Sequence, residues 1–335
     1  MKLSLIVLLT FIGTLLQVTE TKDFRKYVQS FVLETKDLSI PGYPGAFNPS
    51  ITRWESSLLL SFRIRDPLKN STCRIGFVFL DLDFNLISEP QEIFLNTPKP
   101  SFAQDPRLIV INDVLYMVYS NMVKTPKGDV RRVFYTQLQY DGKKFTAAAP
   151  EAILNFPLAE INHQEKNWVP FDFCGNLLLA YSIIPHRIMQ PLPKTNSCQL
   201  FASTKASFKW DWGGLRGGTP ALLVGNEYLA FFHCSKSMES VHSDKKNIPH
   251  YFMGAYTFDK ESPFSIRKVS PEPIFGADFY TGPAHKPWKP LRVVFPGGFV
   301  FDDQHIWVVY GRQDFEVWVV KLEKKGLLNS LKEIK

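Results

Sequence analysis

The feature that most constrains the fold is a short segment that recurs five times along the chain. Each copy begins at a proline, continues as an apolar run, turns at Asn, Asp, Gly or Ser, and closes a second apolar run with an aromatic residue. The copies are PSITRWESSLLLSF (49–62), PRLIVINDVLYMVY (106–119), PFDFCGNLLLAY (170–181), PALLVGNEYLAFF (220–232) and PGGFVFDDQHIWVVY (296–310). Turn residues between two runs rich in β-branched and aromatic residues predict a β-hairpin in each copy.

The spacing of the copies predicts how the hairpins are assembled. Successive copies begin 50 to 76 residues apart, and strand-like runs such as RIGFVFLDL and FEVWVVKL lie between them. This leaves room for about four strands in each unit, which is the content of a β-propeller blade. A pair of packed β-sheets with similar strands is the alternative. We expect an all-β fold, a five-bladed β-propeller with short N-terminal and C-terminal extensions, in which the closing aromatic residues pack the blades.

The two ends of the chain carry separate signals. Lys2 is followed by an apolar run from Leu3 to Leu16, which suits a signal-peptide core better than a membrane span. We therefore expect residues 1–20 to be a signal peptide, although an uncleaved anchor is an alternative, and residues 21–335 to be a single domain. Once the signal is removed, no later segment should span a membrane. The run KLEKKGLLNSLKEIK at the C-terminus is typical of a solvated helical tail.

A secretory start predicts where the protein works. We expect it to be secreted or to lie in the lumen of the secretory pathway, or in the periplasm if the source is bacterial. Asn70, Ser71 and Thr72 form an N-glycosylation acceptor that matters only in a host that glycosylates secreted chains. An oxidising compartment would allow one or two disulfides among the four cysteines, with buried free thiols as the alternative.

Composition excludes several classes of function. The 335 residues are 45% hydrophobic and 14% aromatic, which argues against disorder. The net charge is +7, but Lys and Arg are scattered along the chain, so we expect no nucleic-acid partner. The cysteines form no C-x-x-C, and the seven histidines show no HxH or HxxxH spacing, so we expect no metal. G-x-S-x-G is absent, which argues against a serine hydrolase. The oligomeric state is left open.

Polar residues gather at one end of the predicted hairpins. In an antiparallel hairpin the start of the first strand and the end of the second share one end of the blade. Polar or charged residues stand at these positions: Asn48, Asp105, Lys166, Asn167 and Arg216 before the prolines, and Arg63, Arg65, Ser120, His186, Arg187, His233 and residues 312–314 after the aromatics. Five blades would bring them around one axis, which predicts a funnel with a binding site at its mouth. The glycines of RGGTP (216–220) form a tight turn that serves either a ligand or the fold.

The predicted funnel has few acids and many bases. Its carboxylates are Asp105 and Asp314, and its bases are Arg63, Arg65, Arg107, Lys166, Arg187 and His233. Inverting hydrolysis of a glycoside normally uses two carboxylates. Phosphorolysis needs only the acid, because phosphate is the nucleophile and is held by Arg, Lys and His donors. The excess of bases therefore favours an anionic cosubstrate or donor.

Other polar and aromatic residues are assigned no catalytic role. His163, His242 and His250 are predicted to be solvated in loops, and His305 lies in a turn away from the funnel. Trp210 and Trp212 stand in FKWDWGGLRGG, where they either stack on a sugar ring or cap the core. Arg65 and Asp66 are interpreted as a local ion pair, which contributes little at a surface.

The ordered series FNPSI, QDPRL, EKNWVPF, PHRI, RGGTPA, FFH, YFMGAY, VVFPGG and VVYGRQD resembles glycoside hydrolase family 130, the β-mannoside phosphorylases and β-1,2-mannosidases, and the related β-1,2-mannosyltransferases. The resemblance covers residues 47–321. It implies a five-bladed propeller and an inverting reaction without a covalent intermediate. It places Asp105 at the general acid of an E-D-P-R motif, in which Gln104 replaces the usual Glu. It implies phosphate binding by Lys166, Asn167, Arg187, His233 and Tyr251, and sugar binding by Asn48, Arg63, Arg107 and Asp314.

These observations predict a carbohydrate-active enzyme that acts on β-mannosides. Phosphorolysis or glycosyl transfer is expected, with inorganic phosphate or a sugar phosphate as cosubstrate, no other cofactor, and an oligosaccharide or glycan as partner. The resemblance implies that hydrolases carry acids where phosphorylases carry bases, and Lys166, Arg187 and His233 retain the basic set. The alternatives are a secreted β-mannoside hydrolase, a lumenal mannosyltransferase that uses an activated donor, and a non-catalytic glycan-binding propeller.

Overall fold

The chain folds as a five-bladed β-propeller, in agreement with the predicted fold class. The computed structural model describes residues 21–65, 72–93, 95, 101–147, 152–155, 164–283 and 290–334. The predicted signal peptide, Asp66, Asn70, Ser71 and His163 lie outside these ranges. No helix within them is long and apolar enough to cross a bilayer.

Each blade is an antiparallel sheet whose strands succeed one another from the propeller axis outward. Blade 1 contains Phe47–Trp54, Ser57–Arg65, Cys73–Leu80 and Gln91–Glu92. Blade 2 contains Gln104–Ile111, Val114–Thr125 and Gly128–Tyr140, and Phe145–Ala147 and Ala152–Leu154 both pair with the last of these. Blade 3 contains Val169–Phe173, Asn176–Ser182, His186–Leu192 and Ser197–Thr204.

The last two blades incorporate both ends of the chain. Blade 4 has Arg216–Gly217 and Leu222–Val224 innermost, followed by Glu227–Met238, Ile248–Asp259, Ile266–Val269 and Lys332–Glu333. Blade 5 contains Val294–Phe301, His305–Arg312, Glu316–Glu323 and, outermost, Val32–Asp37. The described helices are the 3-10 turns Phe24–Tyr27, Pro193–Thr195 and Val241–Ser243 and the α-helix Lys324–Ser330. The terminal extensions are therefore parts of blades, since the N-terminal segment completes blade 5 and the C-terminal strand extends blade 4.

The predicted solvated tail needs correction. The helix is present at Lys324–Ser330, but Leu327 and Leu331 are buried, and both belong to the apolar cluster shared by blades 4 and 5. Lysine and leucine alternate irregularly in this segment, so the sequence did not show that one side of the helix is covered. Burying a leucine side chain contributes about 1.5–3 kcal/mol, which is enough to fix a short helix on the core.

The aromatic residues that close the hairpins pack the blades as predicted. Phe62, Tyr119, Phe232 and Tyr310 are each no more than 1% exposed. Tyr181 is partly buried, and its ring lies edge-on to Trp168 with centroids 5.2 Å apart. Repetition of one aromatic position is thus explained by repeated packing between neighbouring sheets.

Two histidines predicted to be solvated are buried. His242 is 9% exposed and His250 is fully buried, because Phe24 of the N-terminal segment inserts beside them. The Phe24 ring stacks on His242 with centroids 5.3 Å apart and meets His250 edge-on at 5.6 Å. The prediction was wrong because it used local polarity alone, whereas the covering residue comes from the other end of the chain.

The two tryptophans of FKWDWGGLRGG cap the core. Trp210 packs edge-on against Phe232 with centroids 5.0 Å apart, and Trp212 against Phe252 at 4.8 Å. Their indole N–H groups donate to the Cys234 sulfur and to a Glu272 carboxylate oxygen. Of the two roles left open by the sequence, the structure therefore supports packing.

Candidate active site

A local backbone irregularity turns polar side chains toward the propeller axis. Asn48, Asp105 and Asn167 have φ values of 47°, 55° and 65°. Asn and Asp tolerate this left-handed region better than most residues. At Asn48 and Asp105 the inner strand also bulges, so that two of its residues oppose one on the neighbouring strand. A bulge re-aims the side chains beside it, which places these polar groups at the mouth of the funnel.

Asp105 is the buried carboxylate at the centre of the site, with 8% of the residue exposed. One carboxylate oxygen accepts hydrogen bonds from the Asn48 amide at 2.9 Å and from the Arg63 guanidinium at 3.3 Å. Burial raises its pKa, but Arg63, Asn48, Arg107 and Lys166 together outweigh burial, and the pKa is lowered. Asp105 is therefore a carboxylate at neutral pH in this structure.

A second carboxylate faces the same cations. Asp314 is partly buried and lies at φ 53° in the turn between two strands of blade 5. Burial raises its pKa, and the negative charge of Asp105 adds to this, while Arg63, Arg65 and Lys166 oppose it. The two carboxylates thus have pKa values shifted in opposite directions, a pattern common in sites that handle protons.

Arg107 is a structural cation that links three blades. It is 3% exposed, and its N–H groups donate to the Gly218 carbonyl, to the Asp105 carbonyl at 2.9 Å and to the Asn167 side-chain oxygen at 3.3 Å. Burial lowers its pKa to about 10, and Asp105 opposes this. Arg107 therefore fixes the relative positions of the residues on either side of it.

The glycines of RGGTP allow close backbone contacts within blade 4 and between blades 3 and 4. A Cβ atom on Gly217 would lie 2.2 Å from the Asn167 carbonyl oxygen, and one on Gly218 would lie 2.5 Å from the Phe231 carbonyl oxygen. Only glycine permits such an approach. Of the two roles expected for this turn, the structure shows the structural one, which also presents the Gly218 carbonyl to Arg107.

His233 is the most deeply buried base of the site, with 2% exposed. Its ring lies against Phe295 with centroids 4.5 Å apart and is stacked 6.2 Å from Tyr251. Burial lowers its pKa to about 3, and Arg107, Arg216 and Lys166 act in the same direction. Its Nδ1 atom is buried without a hydrogen-bond partner in the described part of the chain. A buried polar atom left unpaired costs about 1–3 kcal/mol, so this nitrogen is suited to a ligand.

Lys166 and Arg216 stand beside His233 at the mouth between blades 3 and 4. Arg216 pairs in register with His233. Lys166 is exposed as a residue, yet burial of its ammonium group lowers its pKa, and Arg216, Arg131 and Arg63 add to this while Asp105 opposes it. Both residues line a groove of about 710 Å³. Neither makes a side-chain hydrogen bond or ion pair among the interactions found in the described ranges.

Two of these cations were not predicted as ligand-binding residues. Arg216 was placed at the rim without a role. Arg131 was not identified at all, because it lies on the third strand of blade 2, away from any repeated proline. Its backbone N–H donates to the Gln164 side chain at 2.9 Å, and its guanidinium donates to the Phe102 carbonyl at 3.2 Å. The strand register could have located Arg131 near the rim, because Ser120 at the rim pairs with Val133, which is two residues after Arg131.

Other predicted residues lie outside this group. Arg187 pairs in register with Ser203. Burial and Glu165 raise the pKa of Tyr181, while Arg187 lowers it. The Arg187 guanidinium therefore lies near Tyr181. No hydrogen bond or ion pair within the described residues joins it to Lys166 or His233. His186 is fully buried, and its Nδ1 lies 2.7 Å from the Phe264 carbonyl oxygen, so it faces the blade core.

The described residues contain no group of three or more His, Cys, Asp or Glu placed to hold a metal ion. The four cysteines are free thiols: Cys73, Cys198 and Cys234 are buried, and Cys174 is exposed. Of the alternatives left open by the sequence, the structure therefore has thiols and no disulfide among these four residues.

Comparison with known proteins agrees with this geometry. The family model of glycoside hydrolase family 130, described as β-1,4-mannooligosaccharide phosphorylase, matches residues 17–333. A 1,2-β-oligomannan phosphorylase of Thermoanaerobacter sp. (strain X514) is 23% identical over 261 residues, which cover 75% of this chain and 77% of that protein.

Solved structures share the fold at low sequence identity. The mannose phosphorylase MPT-4 of Leishmania mexicana, in complex with phosphate ion, has a TM-score of 0.63 at 12% identity and covers 93% of this chain and 94% of its own. The β-1,2-mannobiose phosphorylase of Listeria innocua has a TM-score of 0.56 at 14% identity and covers 90% of this chain and 94% of its own. The chain therefore belongs to glycoside hydrolase family 130 and is a carbohydrate-active enzyme of the glycoside phosphorylase type that acts on β-mannosides.

Proposed function

We propose that the protein catalyses the reversible, inverting phosphorolysis of a β-mannoside, with Asp105 transferring the proton and Lys166, Arg216 and His233 binding phosphate. One observation carries the proposal. Two cations without side-chain partners in the described structure meet beside a buried imidazole with an unpaired nitrogen, on the funnel that also holds Asp105.

The phosphate-binding residues are inferred from which hydrogen-bond donors in the funnel already have protein acceptors. Three of the five Arg107 N–H donors are taken up by protein acceptors, so Arg107 contributes mainly charge and support. Lys166 and Arg216 can direct their donors to an anion, because charged N–H groups bind phosphate oxygens strongly. The amide of Asn167 and the hydroxyl of Tyr251 would complete the site. MPT-4, which shares this fold, is seen with a phosphate ion, and this supports the assignment.

The protonation state of Asp105 determines which direction of the reaction it can catalyse first. As a carboxylate it is a base, suited to accept the proton from an acceptor hydroxyl while an α-mannosyl phosphate donates its sugar. To act as the general acid in phosphorolysis it must first be protonated, and Arg63, Arg107 and Lys166 oppose this. A bound phosphate dianion would offset those charges, and bound sugar would exclude water, so both ligands would raise its pKa.

Proton uptake on anion binding is the resulting prediction. Asp105 has a lowered pKa in the free protein, so it is unprotonated above that value, and an anion near Lys166 should raise the pKa toward the working pH. We expect net uptake of protons that grows as the pH is lowered from about 7 toward 5. Calorimetry in buffers of different ionisation enthalpy would measure it. Sulfate, which does not titrate in this range, avoids the contribution of phosphate itself.

The Asp105→Asn variant isolates the contribution of this one carboxyl group. Subtracting its proton uptake from that of the wild type gives the uptake that depends on the Asp105 carboxyl group, including its charge coupling to Asp314 and His233. Equal uptake in the two proteins would show that anion binding is not linked to Asp105, and the proposed coupling would then be wrong.

Glycosyl transfer is the second candidate, and the lowered pKa of Asp105 favours it. An ionised carboxylate is the form needed to deprotonate a saccharide acceptor when a sugar phosphate is the donor. Hydrolysis is less well supported, because Asp105 and Asp314 both face Arg63. Glu165, the carboxylate that lines the groove, already accepts hydrogen bonds from the Trp168 indole and the Tyr181 hydroxyl.

The decisive experiment identifies products in both directions. The purified protein is incubated with β-1,2-linked and β-1,4-linked mannobiose with and without phosphate, and separately with α-mannose 1-phosphate and mannose. We expect α-mannose 1-phosphate only when phosphate is present, and a β-mannoside in the reverse reaction. Free mannose formed equally with and without phosphate would indicate a hydrolase. Saccharide binding with no product in any mixture would indicate a non-catalytic glycan-binding protein.

A further inference from the structure

Arg63 is held by an unusual partner. Its Nε and one terminal N–H group both donate to the Cys73 sulfur, at 3.3 Å and 3.2 Å, while its other terminal nitrogen donates to Asp105 at 3.3 Å. The Phe47 ring lies against the guanidinium, 4.7 Å from its central carbon. The guanidinium is thus fixed along two of its edges and on one face.

Cys73 is itself well anchored. It is 3% exposed, it lies at the start of the third strand of blade 1, and its backbone N–H donates to the Ser101 carbonyl at 3.0 Å. Ser101 belongs to the segment that enters blade 2 just before Asp105. Side-chain hydrogen bonds therefore link the Cys73 thiol to Arg63 and Arg63 to Asp105. A backbone hydrogen bond links Cys73 to the segment that leads to Asp105.

Sulfur has a particular advantage at this position. A guanidinium presents a fork of donors that usually meets a carboxylate, which would neutralise its charge. A thiol sulfur is a weak, neutral acceptor. It can orient the fork without cancelling the positive charge that Arg63 directs at Asp105, and Arg63 is the strongest of the charges opposing the effect of burial on that carboxyl group.

We propose that Cys73 is a positioning residue whose sulfur holds the Arg63 guanidinium against Asp105. It contacts no reacting atom, and it acts through Arg63. The inference rests on the proposed proton-transfer role of Asp105, and it concerns this same site.

Three variants test the proposal. Cys73→Ala removes the acceptor, Cys73→Ser replaces it with a smaller hydroxyl acceptor, and Cys198→Ala removes another buried thiol, on blade 3, as the matched control. The Asp105 carboxyl group is followed by NMR of protein with ¹³C-labelled aspartate. In Cys73→Ala we expect its pKa to rise by about one unit, because a guanidinium that can swing away lowers the pKa less. Cys73→Ser should restore at least half of the shift, and Cys198→Ala should cause none.

The same variants are then assayed in the synthetic direction, where Asp105 must be ionised. The acidic limb of the pH–rate profile should move to higher pH by the amount that the carboxyl pKa moves. An unchanged carboxyl pKa in Cys73→Ala, or an equal shift in Cys198→Ala, would overturn the inference. The NMR measurement needs no turnover. A shifted pKa in a protein that forms no product would therefore refute the proposed function while leaving the positioning role in place.

Discussion

Asp105→Asn should lower the rate of mannosyl transfer to and from phosphate by about 10²- to 10⁴-fold, the usual cost of losing a positioned acid or base. Asparagine can neither give nor accept the proton. Its side-chain oxygen can still accept the hydrogen bonds that Asn48 and Arg63 donate to Asp105, and it tolerates the φ of 55°. Catalysis should therefore be lost without loss of the fold.

The control for this variant is Asp113→Asn. Asp113 is exposed, it has a φ of 61°, and it lies in the hairpin turn at the opposite end of blade 2, so the same chemical change is made in a similar backbone conformation. Rates in both directions and the melting temperature are measured for the two variants. We expect melting temperatures close to that of the wild type in both, and normal rates only in Asp113→Asn. Full activity of Asp105→Asn would remove Asp105 from the mechanism.

Reversing the charge of Lys166 should abolish the stabilisation of the protein by phosphate. A ligand present at about 100 times its dissociation constant stabilises the folded state by roughly 2.7 kcal/mol. Lys166→Glu replaces a donor with an acceptor beside Arg216 and His233, so it repels the anion. A thermal-shift titration with phosphate, and one with α-mannose 1-phosphate, should show a rising melting temperature for the wild type and none for this variant.

Lys144→Glu is the matched control, because Lys144 is exposed in the turn that follows the third strand of blade 2, far from the mouth. It should keep the full response to phosphate.

Arg187→Glu tests a residue whose place in the phosphate site is a prediction from family resemblance. Loss of the response to phosphate in this variant would include Arg187 in the site. If the wild type itself shows no shift with phosphate or α-mannose 1-phosphate, the hydrolase and glycan-binding alternatives become the better explanations.

The blades could be predicted from the amino-acid sequence alone, because their signal is local. Proline, alternating apolar runs and a polar turn specify a hairpin within about fifteen residues. The prolines that open the five copies, at positions 49, 106, 170, 220 and 296, all lie in or within two residues of observed inner strands. The same local signal located Asp105 at the rim, since Asp105 directly precedes the proline that opens the second copy.

Which distant residues meet depends instead on tertiary packing. In the sequence, Lys166, Arg216 and His233 are scattered bases, and nothing local shows that Lys166 and Arg216 lie near the unpaired imidazole nitrogen of His233. The burial of His242 by Phe24 depends in the same way on contacts across the whole chain. The arrangement of the five blades around the axis is set by the packing of complete sheets against one another. Each blade is therefore specified by neighbours along the chain, while charge, burial and pKa at the mouth arise only when all five blades close.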